Sequence, residues 1–168
     1  VRYRLVPLDL TSLEALAAGD LGAASARCGT DLTPFIAGET WLWRLRLGQL
    51  QESPQDLEWI ARPAVALEGT DAGRVVGHLG FHAAPDAEGR VEVGYTIDPA
   101  HRRRGHARAL LTETVDRLEG DPRVHLLRAS ISPDNAASLA TIAGLGFRQV
   151  GEQWDAEDGV ELLFERVV

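Results

Sequence analysis

Cysteine is nearly absent from this chain of 168 residues. Cys28 stands alone, so no intramolecular disulfide can form and no zinc site can be built from cysteines. A reducing, cytoplasmic location is the simplest expectation. Long hydrophobic runs are also missing: no stretch reaches membrane-spanning length, and Val1 to Leu10, broken by Arg2, Arg4 and Asp9, lacks the apolar core of a signal peptide. Positive net charge is missing too. The 17 basic residues face 25 acidic ones, and the formal charge of -8 argues against general affinity for nucleic acid or an anionic membrane. No internal repeat, low-complexity tract or Ser/Gly linker divides the chain. With 45% hydrophobic residues it can bury a continuous core, and a single domain over residues 1–168 is expected.

What is present reads as alternating strands and helices. Tyr3, Leu5 and Pro7 suggest a first strand, after which Thr11 or Ser12 can cap a helix. Leu13 to Cys28 favours helix, interrupted at Gly19 or Gly22, and Pro34 opens another that runs through Trp41, Trp43 and Leu50. Ala64–Leu67 and Arg74–His82 read as a hairpin around a turn at Gly69–Gly73. The clearest strand is Val91–Ile97, where Val91, Val93, Tyr95 and Ile97 alternate with Glu92, Gly94 and Thr96. A helix through Leu110–Leu118, a strand over Val124–Ser130, a helix over Ala136–Leu145 and two terminal strands complete the order. The pattern predicts an α/β protein with a mixed sheet and helices on its faces.

The segment Arg102-Arg103-Arg104-Gly105-His106-Ala107 joins the clearest strand to a helix. Gly105 and Ala107 remove side-chain bulk where the helix begins, so free amide N–H groups and the helix dipole can meet a pyrophosphate while the arginines add positive charge. Taken alone, a basic turn at a helix start is more often a solvated surface feature. Its spacing resembles the Gln/Arg-x-x-Gly-x-Gly/Ala motif of the GNAT N-acetyltransferases. A second match follows in Asn135-Ala136-Ala137-Ser138 and Gly144-Leu145-Gly146-Phe147, which resemble the family's next motif and, more narrowly, the branch of ribosomal-protein N-terminal acetyltransferases. Individually, Asn135 reads as a helix cap and Gly146-Phe147 as a helix end, but their order after the first motif favours the family.

The resemblance implies a GNAT fold, with a mostly antiparallel sheet of about six to seven strands and a V-shaped cleft for acetyl-CoA. It further implies that Tyr95, Thr96 and Ile97 hold the pantetheine arm through backbone groups, that Arg102 to Ala107 hold the pyrophosphate, and that Asn135 and Ser138 complete the cofactor site. No metal is called for. Acyl transfer to an amine needs a base and a proton donor for the departing sulfur. Glu92 on the central strand is the leading base, with a plain exposed carboxylate as the alternative. His78 and His82, four residues apart on the neighbouring strand, are further candidates for base or substrate contact. The position at which many family members carry a proton-donating tyrosine is Ile142 here, and Ser138 is the substitute donor that the resembling branch suggests.

The acceptor wall is expected in the Trp-rich segment, with Trp41 and Trp43 as substrate contacts and Glu39, Asp31 or Glu58 attracting an ammonium group. The plainer alternative makes Trp41 and Trp59 core anchors. The expected activity is acetyl transfer to a primary amine: a peptide N-terminus, an amino acid or a small amine. The competing class is a noncatalytic acyl-CoA binding module, and nucleic-acid binding through Arg102–Arg104 is disfavoured by the overall charge. Partners are thus acetyl-CoA and an amine, with a homodimer left open.

Overall fold

The computed structural model describes residues 2–156 and 159–168. Strand β1 (Tyr3–Leu5) leads to α1 (Leu10–Ala18), whose N-cap is Asp9 rather than Thr11 or Ser12. The Asp9 carboxylate accepts the Ser12 N–H at 2.7 Å and the Ser12 hydroxyl accepts the Asp9 N–H at 2.9 Å, a reciprocal capping box that needs the carboxylate one turn earlier. Gly19, at φ 73, ends α1, and Gly22 lies inside α2 (Leu21–Cys28). Pro34 takes the first position of α3 (Pro34–Gly38) as its fixed φ favours. The expected continuation as one helix fails at Glu39, whose ψ of 45 leaves the helical region, and α4 (Thr40–Glu52) starts afresh.

After a 3-10 turn at Pro54–Glu58 come β2 (Arg62–Ala66), β3 (Val75–Phe81) and β4 (Arg90–Ile97). A second 3-10 turn at Pro99–His101 precedes α5 (His106–Leu118), then β5 (Leu126–Ile131), α6 (Ala136–Ile142), β6 (Arg148–Asp155) and β7 (Gly159–Val167). The strands form one sheet in the order β1-β2-β3-β4-β5-β7-β6. Its neighbours run antiparallel except β4 and β5, as the GNAT resemblance implied.

Each face of the sheet carries its own core. On one, Val91, Val93 and Leu127 pack with Leu110, Leu111 and Val115 of α5. On the other, Val65 and Val75 meet Leu13, Leu16, Ile36 and Trp43 from the N-terminal helices. Among the described residues, no helix is long and apolar enough to cross a membrane.

The opening that matters for function lies in the strand pairing. β4 is registered with β5 only from Arg90–Glu92 against Leu126–Arg128. Beyond Glu92, β4 follows β3 as far as Ile97, while Ala129 to Ile131 stay with β7. The two parallel strands therefore part, and a V opens in the sheet with Glu92 at its apex.

Candidate active site

A cavity of about 580 Å³ occupies the mouth of this V. Strand β4 contributes Tyr95, Thr96 and Ile97 to its lining. On the β3 side, the Glu92 carbonyl accepts the His82 N–H and the Asp98 N–H donates to the Val76 carbonyl, both at 2.9 Å. Backbone groups alternate along a strand, so those of Tyr95 and Ile97 face the opened edge, where an extended ligand can pair with them as an added strand would. Arg102 already reaches this edge, its Nε donating to the Ile97 carbonyl at 2.9 Å.

The turn below the cavity has the backbone shape that could hold an anion. Arg103, at φ 59, is the one non-glycine residue with positive φ among the described residues, and Gly105 follows at φ 83 as the N-cap of α5. No side chain caps α5, so the first amides of the helix, from His106 and Ala107, are left to a ligand. Arg102, Arg103, Gly105, His106 and Ala107 all line the cavity. Arg104 does not: its side chain turns away and places Nη1 at 2.9 and 3.0 Å from the two carboxylate oxygens of Asp71. A buried carboxylate is a stronger draw for that guanidinium than the open mouth of a cleft. The His106 ring is likewise engaged elsewhere, with Asp71 and Tyr3.

Helix α6 forms the facing wall with Asn135 and Ser138. Asn135 is a helix cap, its Oδ1 accepting the Ser138 N–H at 3.0 Å, so its motif position and its capping role coincide. Arg108, which neither motif includes, also lines the cavity and donates to the carbonyls of Thr141 and Ala143 at 3.3 and 2.7 Å. It ties the start of α5 to the end of α6 and fixes the width of the cleft. Its signal in the sequence was only its place one residue after the motif.

At the apex, the Ser130 hydroxyl donates to the Glu92 carboxylate at 2.6 Å, and His82 Nδ1 lies 3.6 Å from the same oxygen. Glu92 therefore has a fixed orientation and is no free surface carboxylate. Ser130 was not singled out in the sequence; it lies two residues beyond Arg128, the register partner of Glu92, and so reaches the carboxylate diagonally from the same face. His82 sits just beyond β3 and is held by its carbonyl, which accepts from Arg46 Nη1 at 3.0 Å and from Gln49 Nε2 at 2.8 Å. Desolvation pulls its imidazole below the usual value against the opposing Glu92 charge, which favours the neutral ring at pH 7.

The expected acceptor residues scatter. Trp43 is fully buried, its indole N–H donating to the Ile36 carbonyl at 2.6 Å; it is a core residue and no part of an acceptor wall. Helical periodicity explains this, because α4 turns Leu42 and Trp43 inward. Trp41 is 64% exposed, which also overturns its alternative as a core anchor, whereas Trp59 is buried against Phe81. His78 is buried under Trp43 with its Nε2 2.7 Å from the half-buried Glu39 carboxylate, so its ring is committed to the core beneath α4. Glu58 pairs instead with Arg123. Trp43→Ala is expected to destabilise the protein by about 3–5 kcal/mol, read as a lower urea midpoint. An unchanged midpoint would contradict its place in the core.

The fold and this site together define an α/β protein with a cleft for a long anionic cofactor and an oriented carboxylate at the inner end. The profile of the Acetyltransferase (GNAT) domain matches residues 2–148, and the chain belongs to the GNAT acetyltransferase family. The uncharacterized N-acetyltransferase YoaA of Bacillus subtilis (strain 168) is 31% identical over 85 residues, 51% of this chain and 48% of that protein. The first curated relatives are matched over only about half of their own length. The L-2,4-diaminobutyric acid acetyltransferase of Nocardia farcinica (strain IFM 10152) is 30% identical over 133 residues, 74% of this chain and 68% of that protein. Among solved structures, Mycobacterium smegmatis RimJ in complex with CoA-disulfide shares the fold, with a TM-score of 0.65 and 19% identity over 99% of this chain and 81% of that one.

Proposed function

We propose that this protein is an acetyl-CoA-dependent N-acetyltransferase acting on a primary amine, which attacks the thioester directly. The observation that carries the proposal is the carboxylate of Glu92, held by Ser130 at 2.6 Å where β4 and β5 part. The anion cradle at Arg103–Ala107 lies past the other end of the same strand, about 17 Å away as a strand extends from Glu92 to Ile97. That is the scale of an extended pantetheine arm.

When bound, acetyl-CoA supplies an activated acyl group as a thioester. The protein's part is to orient and to move protons. The amides of His106 and Ala107 fix the phosphate end, and the exposed backbone of Tyr95 aligns the arm. Glu92 takes the proton from the incoming ammonium, directly or through water, and Ser130 restricts the carboxylate to one rotamer. The Ser138 hydroxyl on α6 serves as proton donor to the departing sulfur, in place of the tyrosine whose position is the buried Ile142.

The acceptor side is the sheet face that carries Glu92 of β4 and His82 just beyond β3, backed by Arg46 and Gln49 of α4. A small amine suits a site that presents a carboxylate beside an imidazole, and the likeness to a diaminobutyric acid acetyltransferase supports a diamino acid as the first choice. Thiol release from acetyl-CoA, followed with L-2,4-diaminobutyrate, spermidine and an alanyl peptide, tests it. Turnover with at least one amine is expected, diaminobutyrate leading. CoA binding without turnover across the panel would instead favour a noncatalytic acyl-CoA module.

A further inference from the structure

Behind the anion cradle, and outside the cleft chemistry above, lies a buried polar cluster around Asp71. This residue belongs to the turn joining β2 to β3 and is only 2% exposed. Its carboxylate receives Arg104 Nη1 on both oxygens and His106 Nε2 at 2.9 Å, and lies 3.1 Å from His101 Nδ1. The far nitrogen of His106 meets the Tyr3 hydroxyl at 2.8 Å, which links the turn, the cradle and β1. Three partners of one carboxylate thus come from the segment 101–106 that wraps the proposed pyrophosphate site.

Asp71 and Arg104 lie outside the cavity lining, while His101 and His106, which meet the same carboxylate, line the cavity. His106 is the first residue of α5, and its N–H is one of the amides without a capping side chain. Arg104 sits between Arg103 and Gly105, the two residues held at positive φ. Pinning these side chains to Asp71 fixes the backbone between them, including the strained Arg103, in the conformation that turns the amides toward the cleft. Without the pins, that segment gains conformational freedom which ligand binding must then remove.

We propose that Asp71 is a positioning residue for the acyl donor: it acts through Arg104, His101 and His106 to preorganise the amides that hold the pyrophosphate, and touches no ligand itself. The inference rests on the coenzyme A assignment of the cleft. The same carboxylate and imidazoles lie close enough to hold a metal ion, but Arg104 bridges both carboxylate oxygens and would place its positive charge beside the cation.

The test compares acetyl-CoA with S-acetylpantetheine, which lacks the pyrophosphate, as donors for the wild type and Asp71→Asn. The ratio of their kcat/KM values is expected to fall about tenfold in the variant, as loss of a charged hydrogen-bond partner implies, with the change in the KM for acetyl-CoA. An equal loss with both donors would mean that Asp71 supports only general stability, and overturns the proposal. Arg104→Gln guards against misfolding of the first variant, since its guanidinium is half-exposed. Its calorimetric loss of CoA affinity is expected not to add to that of Asp71→Asn in the double variant; additive losses would place Arg104 on the phosphate directly and overturn the inference. Zinc-induced thermal stabilisation of the wild type, reversed by chelator, would also overturn it by making the imidazoles ligands. Failure of the wild type to bind CoA at all would remove the underlying cofactor assignment, and is distinguishable from an unchanged donor ratio in a wild type that binds.

Discussion

Gly105→Glu should lower the affinity for CoA by about 100-fold or more in calorimetry, because strain and charge act together at one point. Steric collision is not the cause: a Cβ at this position meets nothing within 4 Å. The backbone, however, stands at φ 83, where a side chain costs about 1–2 kcal/mol, and relief of that strain would turn the following amides out of the cradle. A carboxylate at the N-cap would also occupy the field that otherwise favours a phosphate. Gly105→Ala provides the control, since it introduces the strain without the charge and should lose only part of the affinity. Equal CoA binding by Gly105→Glu and the wild type would mean that the anion site lies elsewhere.

Glu92→Gln is expected to reduce kcat about 10²–10⁴-fold while leaving CoA affinity nearly unchanged, the range for loss of a positioned general base. Glutamine keeps the shape and can still pair with the Ser130 hydroxyl, so the sheet apex should survive and the effect should be chemical. The acid limb of the pH–rate profile should change with it, because a side-chain amide cannot titrate. A profile identical to the wild type would remove Glu92 as the base and direct attention to His82, whose neutral imidazole lies beside it.

The cofactor half of the site was legible in the sequence because it is local. Arg102, Gly105 and Ala107 lie within one turn between a strand and a helix, and the proposed binding groups are backbone amides, so spacing alone conveys the geometry. Asn135 and Ser138 were legible for the same reason. The direction of a long side chain was not local information. Arg104 looks equivalent to Arg102 in the sequence, yet Asp71, 33 residues away in another turn, draws it off the ligand side.

The acceptor half was illegible for a related reason. Trp41 and Trp43 are two residues apart, and on a helix that separation puts one in solvent and the other in the core. His78 and His82 share a sequence spacing that suggested one face. The register agrees, since His78 pairs with Thr96 and the His82 N–H with the Glu92 carbonyl; what the spacing does not encode is that His78 is buried against Glu39 while His82 faces Glu92.

The sequence by itself determined the kind of backbone that surrounds Gly105: a strand, a tight turn and an uncapped helix start, all set by short-range sterics and hydrogen bonding. Tertiary structure alone decided which charges face that turn. Asp71 behind the cradle and Ser130 beside Glu92 are brought there by strand register and by a hairpin turn. Long-range pairing of that kind fixes side chains through burial and competition for partners, which no local spacing encodes.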